Sequence, residues 1–398
     1  MYQGWKVTIV CASITFLSGI TYSWSIFASG LVCELGWTQT QAAFPYTVFI
    51  FCYALLMVAT GRMYDRMGPR LVISIGGIFI GLSFILSSFL LAPYSLAITW
   101  GLLVGIGVAC CYASVTPAAI IWFPMQKKGL VTGIVVFGMG LSAVVMAPVV
   151  NMLVEQSLKK AFLFVGITVL IGIFLLAQLV KDPHQLPSSQ IAASRTGNNE
   201  KHLTQILHYP QFYLLWFMFC FSTGVGITFV THLTRIVEVQ TGFEKGYIMV
   251  ALFAFFNAIG RLVAGWLSDR IGRNKAITLV FGIKTLVLLY ILFVQTPAIM
   301  GLTLSILALT YGGLYSLFPA VTVSYFGDKN FGFNFGLVFT GLAAAGVFPL
   351  IAGHLFELQG DFHSTFILLL MISAVAMFLS FLCKKPATML KETQNLTE

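Results

Sequence analysis

The chain has 398 residues, of which 58% are hydrophobic and 9% charged, and its mean hydropathy is +0.93. That much apolar surface exceeds what a soluble core can bury, which excludes a soluble enzyme or binding module. The formal net charge of +9 needs a source, and the order of the segments supplies one.

A helix needs about 20 apolar residues to cross a bilayer core. Twelve segments meet that length: 4–31, 41–61, 70–92, 95–122, 129–154, 161–180, 208–236, 247–267, 275–295, 298–325, 332–356 and 363–383. The first is too long for a signal-peptide core and lacks a small-residue cleavage pattern, so it is expected to be retained as the first span. With the amino terminus in the cytoplasm, 16 of the 22 Lys and Arg residues fall on the cytoplasmic side. The positive-inside rule therefore predicts a multi-pass protein of the plasma or inner membrane with both termini cytoplasmic. The charge is accounted for by topology, and no nucleic-acid partner is expected. Seven cysteines lie almost entirely within apolar segments without a C-x-x-C pair, and are expected to act as packing residues.

Residues 181–207 form the only long polar stretch, rich in Ser, Asn, Pro and charge. This stretch is expected to be a cytoplasmic linker between a lobe of six spans at 1–180 and a second lobe at 208–398 that ends in a short cytoplasmic tail. The halves are related by duplication. The run from Gly61 to Gly68 and the run from Gly265 to Gly272 both read G-x-x-x-D-R-x-G, with an offset of 204 residues. Trp122-Phe123 matches Tyr325-Phe326 at an offset of 203, and Gly129, Gly133 and Gly138 match Gly332, Gly336 and Gly341. Internal repeats of this kind build transporters with one site between two lobes. Glycines are dense in spans four, five, ten and eleven, where they let backbones approach closely. Pro117, Pro148, Pro319 and Pro349 favour kinks in the same four spans.

No Asp or Glu maps to the middle of a span, so a proton relay through an embedded carboxylate has no carrier. Arg261 is the exception to the uncharged interior. It lies eight residues before Asp269, about 12 Å along span eight from the cytoplasmic loop. A cation there costs about 2.5–3.5 kcal/mol on insertion scales. Its planar fork suits a carboxylate, so an anionic substrate is the natural partner, with a snorkelling or internally paired arginine as the alternative. Lys284 in span nine is expected to be structural or to snorkel toward lipid headgroups. Tyr22, Trp24, Tyr46, Tyr53, Tyr112, Tyr311 and Tyr315 offer hydroxyls, an indole and ring faces at depths compatible with a cavity. Tyr112 and Tyr315 are repeat equivalents. No G-x-x-x-x-G-K-[ST] loop is present, and neither ATP use, nor a cofactor, a metal or an enzyme activity is expected.

The duplicated motif resembles the signature of the major facilitator superfamily, along essentially the whole chain. That resemblance implies an all-α membrane protein of twelve transmembrane helices in two pseudo-symmetric six-helix lobes. It also implies a cavity lined by spans 1, 4, 7 and 10 with help from 2, 5, 8 and 11, worked by alternating access. Gly61, Asp65, Arg66, Gly265, Asp269 and Arg270 then look like a cytoplasmic latch that biases the outward-open state. Gly4-Trp5, the run from Ser18 to Ser25, Trp122-Phe123-Pro124 and the run from Tyr311 to Pro319 resemble the oxalate/formate antiporter branch and its monocarboxylate transporter relatives. In those proteins an arginine in the eighth span binds the substrate carboxylate, and Asn257-Ala258-Ile259-Gly260-Arg261 occupies the matching segment. Two departures narrow the expectation. Asn257 stands where proton-coupled animal monocarboxylate transporters carry an acid, and span eleven lacks the lysine that oxalate transporters pair with the arginine. One cation suits a monoanion. Nitrate transporters of the superfamily resemble a design with one arginine per lobe, whereas the counterpart of Arg261 is Met57.

The expectation is thus a secondary active or facilitative transporter of small organic monocarboxylates, working as a monomer among membrane lipids. Arg261 clamps the carboxylate, Asn257, Tyr22, Tyr112 and Tyr315 add hydrogen bonds, and Trp24 and Tyr311 shape the apolar wall. Two alternatives stay open: a facilitator for amino acids or other neutral or zwitterionic solutes with Arg261 structural, and a non-transporting membrane sensor or assembly partner.

Overall fold

The computed structural model describes residues 2–37, 39–181, 204–243, 245–327 and 330–384. The expected linker, apart from its ends, and the expected cytoplasmic tail from residue 385 onward lie outside the described residues. Among the described residues there are twelve helices long and apolar enough to cross a membrane and no strand. They are α1 (Gln3–Leu35), α2 (Phe44–Met67), α3 (Pro69–Phe89), α4 (Pro93–Ile120), α5 (Lys128–Gln156), α6 (Leu158–Leu179), α7 (Pro210–Thr241), α8 (Ile248–Ile271), α9 (Arg273–Ile291), α10 (Pro297–Phe326), α11 (Phe331–Gln359) and α12 (His363–Leu382). Every expected span has its helix. Large apolar side chains on the outer faces, such as Phe89, Phe293, Leu350 and Phe378, are exposed, as expected where lipid rather than water is the solvent.

Several helices are irregular. α1 tightens into a 3₁₀ turn over Gly19–Ser23, α4 opens with a π turn over Ala97–Leu102, and α11 breaks at Thr340 and Gly346. The last break follows from Pro349: lacking an N–H, it is tolerated in the first turn of a segment, and the final piece of α11 starts at Val347. Pro117, Pro148 and Pro319 lie inside helices that run through them.

The chain divides into two compact units. The first comprises Met1–Pro124, Ile134–Asn198 and Asp328–Leu337; the second comprises Met125–Gly133, Asn199–Gly327 and Val338–Glu398. This differs from a cut at the linker by two short segments, the starts of α5 and α11. In the first unit α3 packs on α4 and α6, and α2 on α4; in the second α8 packs on α10, and α9 on α10 and α12.

The duplicated motif explains the two exchanged segments. Most of it is helical and ends α2 and α8; the loop proper is one residue, Gly68 or Gly272, with φ of 79° and 88°, a region open to glycine. The first glycine of each copy makes a backbone contact. In the first unit a Cβ on Gly61 would run into the Gly332 carbonyl, and in the second a Cβ on Gly265 would run into that of Gly129. One turn further on, the aspartate reaches the helix start so approached. Asp65 accepts from the Gly332 and Phe333 N–H groups at 3.3 and 3.1 Å, and Asp269 accepts from those of Gly129 and Leu130 at 3.0 and 2.7 Å. A carboxylate at a helix start satisfies free donors and meets the positive end of the dipole. Arg273 lies 3.5 Å from Asp269 in the second copy.

Removing such a cap costs about 1 kcal/mol, so Asp269→Ala should raise amide hydrogen exchange at Gly129 and Leu130 about fivefold, with Asp65→Ala doing the same at Gly332 and Phe333. A second test concerns the seam of α8 on α10, where a Cβ on Gly260 would strike the Leu309 carbonyl and one on Gly312 that of Asn257. Backbone cannot yield as a side chain does. Gly260→Ala should destabilise the detergent-solubilised protein by about 1–3 kcal/mol in thermal unfolding. Gly282→Ala should not, because there a Cβ meets only Met377 Sδ at 3.9 Å.

Candidate functional site

The backbone contact of α8 with α10 builds a polar cluster inside the second unit. Asn257 precedes Arg261 by one helical turn on α8, and Tyr311 precedes Tyr315 by one turn on α10, so each pair shares a face. Gly260, beside Arg261, and Gly312, beside Tyr311, let the two faces meet. The Arg261 guanidinium carbon then lies 5.1 Å from the centroid of the Tyr315 ring, within range of a cation–π attraction. Arg261 Nη2 donates to Asn257 Oδ1 at 3.3 Å, and the hydroxyls of Tyr311 and Tyr315 are 3.0 Å apart. All four side chains are buried, Arg261 to 2% of its free exposure. Arg261 therefore does not snorkel. Asn257 and Tyr315 orient the fork but carry no negative charge.

The rest of the second unit holds this cluster in place. Gly226 on α7 makes room for the Tyr311 ring, which a Cβ there would overlap. Phe253 flanks Tyr311, and Phe219 meets Tyr315 edge-on with centroids 6.3 Å apart. The start of α5 approaches the Arg261 carbonyl at Gly133. From the sequence Gly226 is not singled out and Gly312 stands only within the run from Tyr311 to Pro319, although glycine at a helix interior is itself a signal of close approach. An apolar groove along α8 and α10, lined by Ile248, Met249, Leu252, Pro297 and Leu302 among others, contains none of the cluster.

The remaining candidates lie in the first unit. Tyr22 sits in the 3₁₀ turn of α1 and is exposed. Trp24 is buried; its indole N–H donates to the Ala42 carbonyl at 3.0 Å, and its ring lies 4.0 Å from that of Trp100. Its polar edge is committed to bracing α1. Tyr112 is buried on α4 and meets Tyr53 edge-on at 6.0 Å. Met57, the repeat counterpart of Arg261, is fully buried, so the same position is apolar core in one unit and charged in the other.

Lys284 takes the structural one of its two expected roles. It does not reach toward lipid: it is fully buried, and its Nζ donates to Ser222 on α7. A lysine snorkels only if its helix face turns outward, and this face of α9 is turned inward. His232, in the C-terminal part of α7, pairs through Nε2 with the Pro349 carbonyl at 3.0 Å and ties α7 to the broken part of α11.

Comparison with known proteins agrees with the architecture. A family model described as Major Facilitator Superfamily matches residues 9–348 and again 248–396. The chain is 28% identical over 380 residues to the oxalate:formate antiporter of Oxalobacter formigenes, covering 92% of this chain and 86% of that one. It is 25% identical to monocarboxylate transporter 12-B of Danio rerio, covering 92% and 83%. The crystal structure of the transporter FucP in the outward conformation superposes with a TM-score of 0.78 at 12% identity, covering 95% of this chain and 99% of that one. The duplicated motif, the twelve helices and these matches agree: the chain belongs to the major facilitator superfamily of membrane transporters.

Proposed function

We propose that this protein carries small organic monocarboxylate anions, such as lactate, pyruvate or formate, across the membrane by alternating access, as a monomer with both termini in the cytoplasm. The observation that carries this proposal is the Arg261 cluster: a fully buried guanidinium whose fork is oriented by Asn257 and backed by the Tyr315 ring. A carboxylate accepts two parallel N–H bonds from such a fork, and burial strengthens them. The hydroxyls of Tyr311 and Tyr315, paired with each other on the ring that backs the fork, are the proposed donors to the second carboxylate oxygen or an α-substituent. Tyr22 and Tyr112 are further candidate donors, and Trp24 shapes its surroundings by fixing α1. Single-cation chemistry on α8 favours one carboxylate over two, because a second would be desolvated without a partner. Two relatives bearing oxalate, formate or monocarboxylate in their names support the substrate class.

Binding lowers the cost of holding Arg261 in the membrane interior, and that difference favours closure over an occupied site. The two aspartate-capped helix starts are the proposed latch, with Gly61 and Gly265 setting the close approach and Arg66 and Arg270 adding charge at the cytoplasmic ends. Opening requires Asp65 and Asp269 to release the N–H groups they hold.

The Arg261 contact with Asn257 favours a second reading, in which the arginine braces α8 and the solute is neutral or zwitterionic. The two readings separate on one substitution. Arg261→Lys keeps the charge and loses the fork; with charged hydrogen bonds worth about 1.5–3 kcal/mol, uptake of labelled monocarboxylate into proteoliposomes should fall tenfold or more. Unchanged uptake supports the bracing role. Asn257→Asp places a fixed anion one turn from the fork, where it competes with substrate. Its carboxylate affinity should drop about tenfold at neutral pH, measured by calorimetry, and recover as the introduced acid is protonated.

A further inference from the structure

The apolar groove along α8 and α10 has no part in the function proposed above. Leu252 and Leu302 line it, and each stands nine residues before Arg261 or Tyr311, about two and a half helical turns. The groove therefore opens on the face opposite the polar cluster. Leu302 is 63% exposed, Ile248 on the rim 44% and Ile299 beside it 41%. On a membrane-spanning helix such side chains meet hydrocarbon.

The repeat provides an internal control, because the equivalent place in the first unit is closed. At the offset of 203, Gly101 and Gly105 of α4 match Leu304 and Ala308 of α10. A Cβ on Gly101 would meet the Pro45 carbonyl at 2.6 Å, and one on Gly105 would meet Cys52 Cβ at 2.8 Å. There α2 and α4 are pressed together. In the second unit Leu304 and Ala308 replace those glycines, and backbone contact is made further along, at Gly260 with Leu309 and at Gly312 with Asn257. At the level of the groove, the nearest atoms to a Cβ on Gly301 are side-chain ends, Met249 Sδ at 3.2 Å and Leu252 Cδ2 at 3.5 Å. The fold does not require this opening.

Length and chemistry select its occupant. The groove runs from Pro297 to Leu309, about 18 Å at 1.5 Å per residue, close to one leaflet of a hydrocarbon core about 30 Å thick. A short carboxylate would leave most of it empty. Ser305 brings a hydroxyl to the lining, and that hydroxyl donates to the Gly301 carbonyl at 2.7 Å, so a hydrophilic solute finds little to bind. At the mouth stands Lys245, exposed, its carbonyl accepting the Ile248 N–H at 3.1 Å. Among the described residues no acid pairs with it. An ammonium one turn before an apolar furrow matches a molecule that carries a phosphate above a hydrocarbon chain.

We propose that this groove binds one acyl chain of a membrane phospholipid, whose phosphate is held by Lys245. The lipid takes the space between α8 and α10 that glycine contact closes between α2 and α4. Leu309 links this site to the polar cluster: it lines the groove, and its carbonyl meets Gly260, the neighbour of Arg261. The site does not depend on the carboxylate reading of Arg261.

The test uses nanodiscs containing phosphatidylglycerol with a diazirine midway along one chain, photolysed and mapped by peptide mass spectrometry. Exposed Phe378 on α12 reports ordinary boundary lipid. Labelling around Leu252 and Leu302 should exceed that at Phe378 about tenfold, the difference made by burying about two methylene groups. Ala298→Trp, which fills the groove from an exposed lining position, should bring labelling down to the Phe378 level. Should that variant fail to fold, Gly301→Leu fills the groove from its floor with the same expected result. Lys245→Gln should lower labelling severalfold, and a diazirine fatty acid, which has no phosphate, should label no more than boundary lipid does. Labelling no greater than at Phe378, labelling unaltered by the filling variant or by Lys245→Gln, or equal labelling by the fatty acid would overturn the proposal. So would a dimer in native mass spectrometry that Ala298→Trp abolishes, since the groove would then belong to a second copy of the chain.

Discussion

A charge inside a bilayer must be met by something, and the architecture around Arg261 follows from that constraint. The cation is placed about half-way along α8, in a region where the chain supplies no acid on the same helix before Asp269. Neutral groups are arranged around it instead: the Asn257 amide, the Tyr315 ring and the paired hydroxyls of Tyr311 and Tyr315. Such groups orient a guanidinium through neutral contacts.

The polar cluster depends in turn on glycine. Gly260 and Gly312 bring α8 and α10 into backbone contact, and Gly226 admits the Tyr311 ring. In lipid, helices gain little from burying apolar side chains against one another, so close backbone approach supplies the packing. The same device recurs at the duplicated motifs, where Gly61 and Gly265 bring helix starts within reach of Asp65 and Asp269. Glycine-made backbone contact serves both places: a turn before the aspartate at the capped ends, and beside Arg261 and Tyr311 in the polar cluster.

Much of the fold was legible from the chain because spans, repeat and charge bias are one-dimensional signals. The twelve segments were found with their ends displaced by a few residues. The largest shifts came at the ends of α2 and α7; at α2, as at α8, the charged motif reads as loop but is helix through Met67 and Ile271. Depth was also legible, since Arg261 could be counted from its loop. Azimuth was not. Whether a side chain faces lipid or core depends on which helix lies beside it, and Ser222 is 62 residues from Lys284. That is why the chain alone left Lys284 open between a structural and a snorkelling role, and tertiary structure makes it a fully buried one. For the same reason Trp24, Tyr112 and Tyr315 could be placed at a plausible depth, while the commitment of Trp24 to Ala42 and the seat of Tyr315 over the guanidinium needed tertiary structure.

The account's central claim is that a carboxylate sits on the Arg261 fork, and a distance measures it most directly. Solid-state NMR dipolar recoupling between carboxyl-labelled ¹³C-pyruvate and guanidino-labelled ¹⁵N-arginine, on the protein in lipid, should show a pair about 4 Å apart, the spacing of a bidentate carboxylate. That signal should vanish in Arg261→Lys. Bound pyruvate with no recoupling to any arginine, or with recoupling that survives the substitution, would contradict the account.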